Sequence, residues 1–166
     1  MFRMSENSKV YPLINDNDVA GEPFLHDIGA TNAETAWAPM AGYDRVFAYV
    51  QLGTWNGSDD LDECRLQQAT DSAGTGAKDL TTDASGGNYD TDNPIDAAGN
   101  FVVVEARAED FDTDGGFDHV RFYVAEGGNS GTDQAGGFMM LYNYAYPQKQ
   151  LQGAAAVGAQ VYVIPS

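Results

Sequence analysis

The sequence predicts an all-β chain: a β-sandwich, jelly-roll-like, with an extended N-terminal arm. Three observations carry this. Apolar residues alternate with polar ones in run after run, the period-two pattern of half-buried strands. The breaks between runs are rich in Gly, Asp and Asn, the residues that make turns. No window of helix length keeps a 3.6-residue period; the nearest, QKQLQGAAAVGA (148–159), is interrupted by Gly153 and Gly158, and glycine costs a helix interior about 1 kcal/mol relative to alanine.

The elements follow in chain order. Residues 1–32, MFRMSENSKVYPLINDNDVAGEPFLHDIGATN, have scattered anchors and no period, and Pro12 and Pro23 interrupt regular structure. They read as an arm lying over a surface, the protein's own or a partner's. Residues 33–166 read as the sandwich domain. A short strand is expected at ETAWAP (34–39). In 43–53, Val46, Ala48, Val50 and Leu52 alternate with Arg45, Phe47, Tyr49 and Gln51. Cys64 and Leu66 alternate in the same way in 61–69, Val102, Val104 and Ala106 in 100–108, and Val120, Phe122 and Val124 in 119–126. GGFMMLYNYAY (136–146) is apolar on both faces, and VGAQVYVIP (157–165) is the last strand. Seven or so strands in one domain of 166 residues imply a sandwich or barrel. The long connection 74–99 is unusual for a compact domain, and a further short strand is expected in it around KDLTT.

The totals exclude several classes. The formal charge is −17, from 25 acidic and 8 basic residues. Nucleic acid and an anionic membrane both require a basic face, so neither is an expected partner. No apolar run approaches the ~18 residues of a membrane helix, and MFRMSENSKV lacks the apolar core of a secretory leader. Cys64 is the only cysteine, so it forms no intramolecular disulfide, and its place in a strand makes it a small buried hydrophobe.

Motifs with chemistry are few. AGTGAKDLT (73–81) has the look of a phosphate loop but not the frame, which is G-x-x-x-x-G-K-[ST] opening a helix. Asp79 stands near where a hydroxyl residue belongs, and the residues that follow make no helix. The stretch reads as a turn in which Gly74 and Gly76 take positive φ. In EDFDTDGGFDH (109–119), Asp112, Asp114 and Asp118 offer carboxylates to calcium. Gly116 and Phe117 break the EF-hand pattern, and the favoured reading is a hairpin turn with Gly115 and Gly116 at positive φ. The acidic clusters 15–18 and 88–93 read as solvated loops. His26 and His119 are distant in sequence, and no G-x-S-x-G or H-E-x-x-H is present. No catalytic residue, cofactor or metal is therefore expected. Trp37 reads as core and Trp55 as a loop edge. With Tyr142, Tyr144 and Tyr146 they are also the stacking residues of a rival reading, a carbohydrate-binding or adhesin-like module. A second rival, a β-sandwich hydrolase, requires a carboxylate cluster that sequence does not display.

The stretches 43–81, with LQQATDSAGTGAKD inside it, and 102–128, with A-R-A-E-D turning into FDHVRFYV, carry a resemblance. Over about residues 34–146 the chain resembles small head decoration, or cement, proteins of tailed bacteriophages and prophages, made beside the major capsid protein. The resemblance implies a structural virion protein on the outer capsid surface, synthesised in the host cytoplasm. It implies partners in the major capsid protein and in copies of itself, as a homotrimer, and no enzymatic activity. Within that picture the arm supplies the capsid-contact candidates Phe2, Arg3, Tyr11, Leu13, Ile14, Phe24 and Leu25. A head fibre or a tail-tube part is the neighbouring alternative.

A surface this acidic repels itself, and salt screens the repulsion. A saline source is inferred. The melting temperature should rise between low and molar salt in a thermal scan; no rise would contradict the inference.

Overall fold

A computed structural model describes residues 8–13, 26–28, 32–55, 61, 63–80, 98–125, 133–143 and 161–164. These residues form two antiparallel sheets. The strands are β1 (Ser8–Pro12), β2 (His26–Asp27), β3 (Ala33–Glu34), β4 (Ala38–Pro39), β5 (Arg45–Leu52), β6 (Glu63–Ala69), β7 (Lys78–Asp79), β8 (Phe101–Arg107), β9 (His119–Ala125), β10 (Gln134–Tyr142) and β11 (Val161–Ile164). A single turn of 3-10 helix, Ala108–Asp110, follows β8. The first sheet runs β1-β10-β5-β8-β11, with β2 also on β10. The second runs β3-β9-β6-β7, with β4 also on β9.

The pairing is nested. β6 pairs with β7, β5 with β8, β3 and β4 with β9, and β1 with β10. The chain is thus paired as one long hairpin whose tip is the turn 70–77, then folded over into two sheets. Further pairings of β10 with β5 and of β6 with β9 join neighbouring layers of the hairpin side by side.

Alternation builds the core. Val46, Ala48 and Val50 of β5, Val102 and Val104 of β8, and Met139 and Leu141 of β10 turn inward from the first sheet and have no exposed surface. Cys64 and Leu66 of β6, with Val120, Phe122 and Val124 of β9, meet them from the second sheet and are equally closed to solvent. Each large aliphatic or aromatic side chain buried this way contributes about 1.5–3 kcal/mol. The gap between β3 and β4 is bridged by Thr35. Its N–H donates to the Phe122 carbonyl at 2.9 Å, and its Oγ1 accepts the Phe122 N–H at 3.0 Å. A hydroxyl there replaces a ladder carbonyl.

Two expectations are revised. The strand at 34–39 is two short pieces on β9. The segment between β8 and β9 is not a hairpin, because β8 lies in the first sheet and β9 in the second. Their inward residues face each other across the core, so the 3-10 turn and residues 111–118 carry the chain over one end of the sandwich. Of the glycine pair there, Gly116 alone has positive φ, at 79°. Within residues 1–32, the described segments 8–13 and 26–28 join the first sheet. Ser8–Pro12 is an edge strand, the Leu13 N–H donates to the Gly137 carbonyl at 3.0 Å, and the Ile28 N–H donates to the Asp133 carbonyl at 2.8 Å. Leu13 and Ile28 are both core residues. Where it is described, the N-terminal segment lies on its own domain, as part of the first sheet.

Gly137 marks a close approach within that sheet. A Cβ at this position would sit 2.1 Å from the Tyr49 carbonyl oxygen and 3.0 Å from the Val50 Cα, so backbone has to move to admit one. Gly137→Ala should destabilise by about 1–3 kcal/mol, the usual cost of overpacking. Urea unfolding with a wild-type midpoint would contradict this.

Candidate interaction surfaces

The two outward faces of the sandwich differ in kind. The second sheet presents Glu34, Glu63, Arg65, Gln67, Asp79, Arg121 and Tyr123. Their strands place oppositely charged groups opposite or diagonal to one another, where cross-strand pairs stabilise. Arg65 contacts Glu63 at 2.6 Å and Asp79 at 2.8 Å. Arg121 pairs with Glu34 and donates to Gln67 Oε1 at 2.8 Å. The Arg121 guanidinium also lies 4.7 Å from the Trp37 ring centre and 5.5 Å from that of Tyr123. Burial, and then the neighbouring Glu63, push the Tyr123 hydroxyl above its ordinary pKa. This face satisfies its charges within itself.

The first sheet presents the opposite character. The outward residues of β5, β8 and β10 include Phe47, Tyr49, Phe101, Phe138, Met140 and Tyr142, all half-buried. Register places them side by side: Met140 opposite Phe47, Phe138 opposite Tyr49, and Tyr49 opposite Val103. The rings of Tyr49 and Phe101 are 5.6 Å apart, and those of Tyr49 and Phe138 are 5.8 Å apart. Val10, opposite Met140 on the edge strand β1, is 56% exposed. Polar residues frame this patch. Arg45 and Arg107 are cross-strand neighbours at one end, Gln51 and Gln134 stand at the other, and Glu105 accepts from the Tyr142 hydroxyl at 3.4 Å. A contiguous apolar patch with a polar rim is the ordinary anatomy of a protein-binding surface.

One end of the sandwich carries the turn 70–77 and the crossover 108–118. The glycines of the turn take positive φ as expected, 80° at Gly74 and 67° at Gly76. Asp71 Oδ1 accepts the N–H groups of Ala73 at 2.9 Å and Thr75 at 3.0 Å. Those Thr75 and Ala73 bonds hold the Asp71 carboxyl below its ordinary pKa. Gly74 packs against Trp37, whose Nε1 would lie 2.6 Å from a Cβ there. Lys78 turns away from any anion pocket: its Nζ donates to Asp112 Oδ2 at 2.6 Å and lies 4.1 Å from the centre of the Phe117 ring. Gln68, buried in β6, accepts the Asp112 N–H at 2.9 Å and ties the crossover to the second sheet.

Two of the calcium candidates, Asp112 and Asp118, have other partners. Asp112 is held by Lys78 and by the Gly115 N–H at 2.9 Å, which lower its pKa in that order. Asp114 is exposed, and Asp118 Oδ1 lies 2.6 Å from His119 Nδ1. Among the described residues, no three His, Cys, Asp or Glu side chains are grouped to hold a metal ion. Trp37 is half-buried on the second sheet's outer face rather than in the core, because the Arg121 guanidinium covers its ring. Trp55 is half-buried and packs against the core. Cys64 is buried in β6, as its pattern implies.

Of the capsid-contact candidates, Leu13 is 1% exposed within the core and Tyr11 packs partly against it. Both are committed to the protein's own interior by the pairing of β1. Phe2, Arg3, Ile14, Phe24 and Leu25 lie outside the described residues, as do the acidic clusters 15–18 and 88–93, Tyr144 and Tyr146. Sequence reasoning noted that 136–146 is apolar on both faces but did not assemble the patch. The aromatic residues interleaved with the core positions of 43–53 and 100–108 are the signal that marks it.

Comparison with models of protein families, with curated proteins and with solved structures gives no match for this chain.

The depressed Asp71 carboxyl makes the turn pH-dependent with a definite sign. Its stabilisation is fully present above the unfolded carboxylate pKa and is lost as pH falls through the lower folded value. Asp71→Ala should therefore lower the melting temperature at neutral pH, and the difference from wild type should narrow in acid. A difference that stays constant from neutral pH into the acid range would contradict the assignment.

Proposed function

We propose that this chain is a structural virion protein that decorates the outer surface of a tailed-phage capsid, bridging major capsid protein subunits as a homotrimer. The observation that carries the reading is the apolar outward face of the first sheet on an otherwise acidic chain. A surface of that kind is used for assembly. The LQQATDSAGTGAKD stretch behind the family resemblance folds as β6, a tight turn and β7, with Asp71 and Lys78 engaged within the protein. That is a structural use of the motif. The nested pairing supports the jelly-roll-like reading, a double sheet built from two Greek keys that viral capsid domains use, with β11 and β2 added to the first sheet. Decoration proteins gain hold through many modest contacts repeated by symmetry, which suits loops and a rigid sandwich better than a deep pocket. The reading includes no catalysis and no cofactor.

The contact candidates Phe2 and Arg3 can be tested without removing a described strand. Deleting residues 1–7 leaves β1 whole, whereas deleting 1–30 also removes the core residues Leu13 and Ile28. Purified protein mixed with capsids that lack it should co-sediment and saturate at a fixed copy number, and the 1–7 deletion should lower occupancy. Unchanged occupancy removes the role of Phe2 and Arg3. No co-sedimentation of the full chain rejects the capsid reading.

A further inference from the structure

We infer that Asp114–Gly115 is a spontaneous modification site at which Asp114 converts to isoaspartate through a succinimide, and that Asp112 holds this reaction back in the folded chain.

The turn imposes the reactive pair. A Cβ at position 115 would lie 2.8 Å from Asp112 Oδ2 and 3.0 Å from Asp112 Cγ, so glycine is required while that carboxylate stays in place. Asp114 stands exposed just before it, in the only Asp-Gly pair of the chain. No side chain shields the Gly115 nitrogen from Asp114 Cγ, and glycine's backbone freedom lets the two meet. The nitrogen attacks Cγ and gives up its proton, and one Cγ oxygen leaves as water. Water then opens the resulting cyclic imide. Addition at Cγ restores aspartate. Addition at the main-chain carbonyl leaves isoaspartate, with the chain running through Cβ and Cγ and a free α-carboxylate. Only water is lost and regained, so no other reactant takes part.

Two hydrogen bonds oppose the ring closure. The Gly116 N–H donates to the Thr113 carbonyl at 3.0 Å, closing a β-turn centred on Asp114 and Gly115. Gly115 is not at positive φ, which makes this a type I turn, with ψ of its first central residue at about −30°. The imide needs the Gly115 nitrogen eclipsed with Asp114 Cβ, and the rotation that brings it there breaks the turn bond. The second bond is on the nucleophile itself: the Gly115 N–H donates to Asp112 Oδ1 at 2.9 Å. Lys78, 2.6 Å from Asp112 Oδ2, steadies that acceptor. The folded chain therefore reacts only while the turn is open. Isoaspartate lengthens the main chain between Thr113 and Gly116, so each conversion undoes the closure that restrained it and loosens the crossover 108–118.

The test is incubation of the full chain at neutral pH in water enriched in oxygen-18, folded and in urea, followed by peptide mass spectrometry. Circular dichroism confirms folding. Each passage through the imide places one heavy oxygen at residue 114, and isoaspartate separates from aspartate by chromatographic retention. Label should enter at least about tenfold more slowly in the folded chain than in urea, because reaction follows the open fraction. Asp112→Ala removes the acceptor and should raise the folded rate severalfold. Asp112→Asn retains an acceptor oxygen and should stay near wild type. No label at residue 114 in urea overturns the site. A folded wild type that labels as fast as the unfolded chain overturns the restraint. So does a folded Asp112→Ala variant that labels at the wild-type rate, or an Asp112→Asn variant as fast as Asp112→Ala.

Discussion

The structure depends on the seam between its two sheets. Every long strand with described side chains turns alternate residues toward a single layer in which Val46, Val50, Val104, Leu66, Phe122 and Met139 interlock without exposure. Because a strand has a period of two, a shift of one residue would export that whole set to solvent. The seam therefore fixes register, and register fixes what stands on the outside. The aromatic patch and the charge network are the complementary halves of one alternation, and neither can be rearranged without disturbing the core.

The nested pairing adds a second constraint. Its tip is a short turn closed by Asp71, and the crossover 108–118 is fastened beside it by Gln68, Lys78 and the Asp118 N–H, which donates to the Ala69 carbonyl at 3.2 Å. One end of the sandwich is thus tied by hydrogen bonds among polar residues as well as by the packing of Phe111 into the core. Asp71 and Asp112 there accept backbone N–H groups, and Asp112 and Asp118 pair with Lys78 and His119. A glycine-lysine sequence that suggests phosphate chemistry serves here as the closing turn of a sheet.

Much of this was legible from the chain. The strands at 45–52, 63–69, 101–107 and 119–125 follow from alternation, and the inward residues named from it are the buried ones. Alternation does not say which sheet a strand joins. The glycine pair at 115–116 therefore suggested a hairpin where the chain crosses between sheets. Trp37 was misplaced for a related reason: its cover is Arg121, far away in sequence, and no local pattern reports that contact. Leu13 follows a proline in a stretch with no period, and its burial depends on β10 arriving from the other end of the chain. The apolar outer face was half visible, since 136–146 is hydrophobic on both sides, but its extent depends on the order β1-β10-β5-β8, which only pairing reveals.

Among the described residues the molecule is a two-sheet sandwich with one apolar and one charge-paired outward face. The central claim, that this sandwich belongs on the outside of a capsid, is tested most directly by cryo-electron microscopy of particles that carry the protein. Ordered β-sandwich density on the outer surface, bridging capsomers, is the expected result. A shell without that density, with the chain found in the tail or only free in the lysate, would contradict the account.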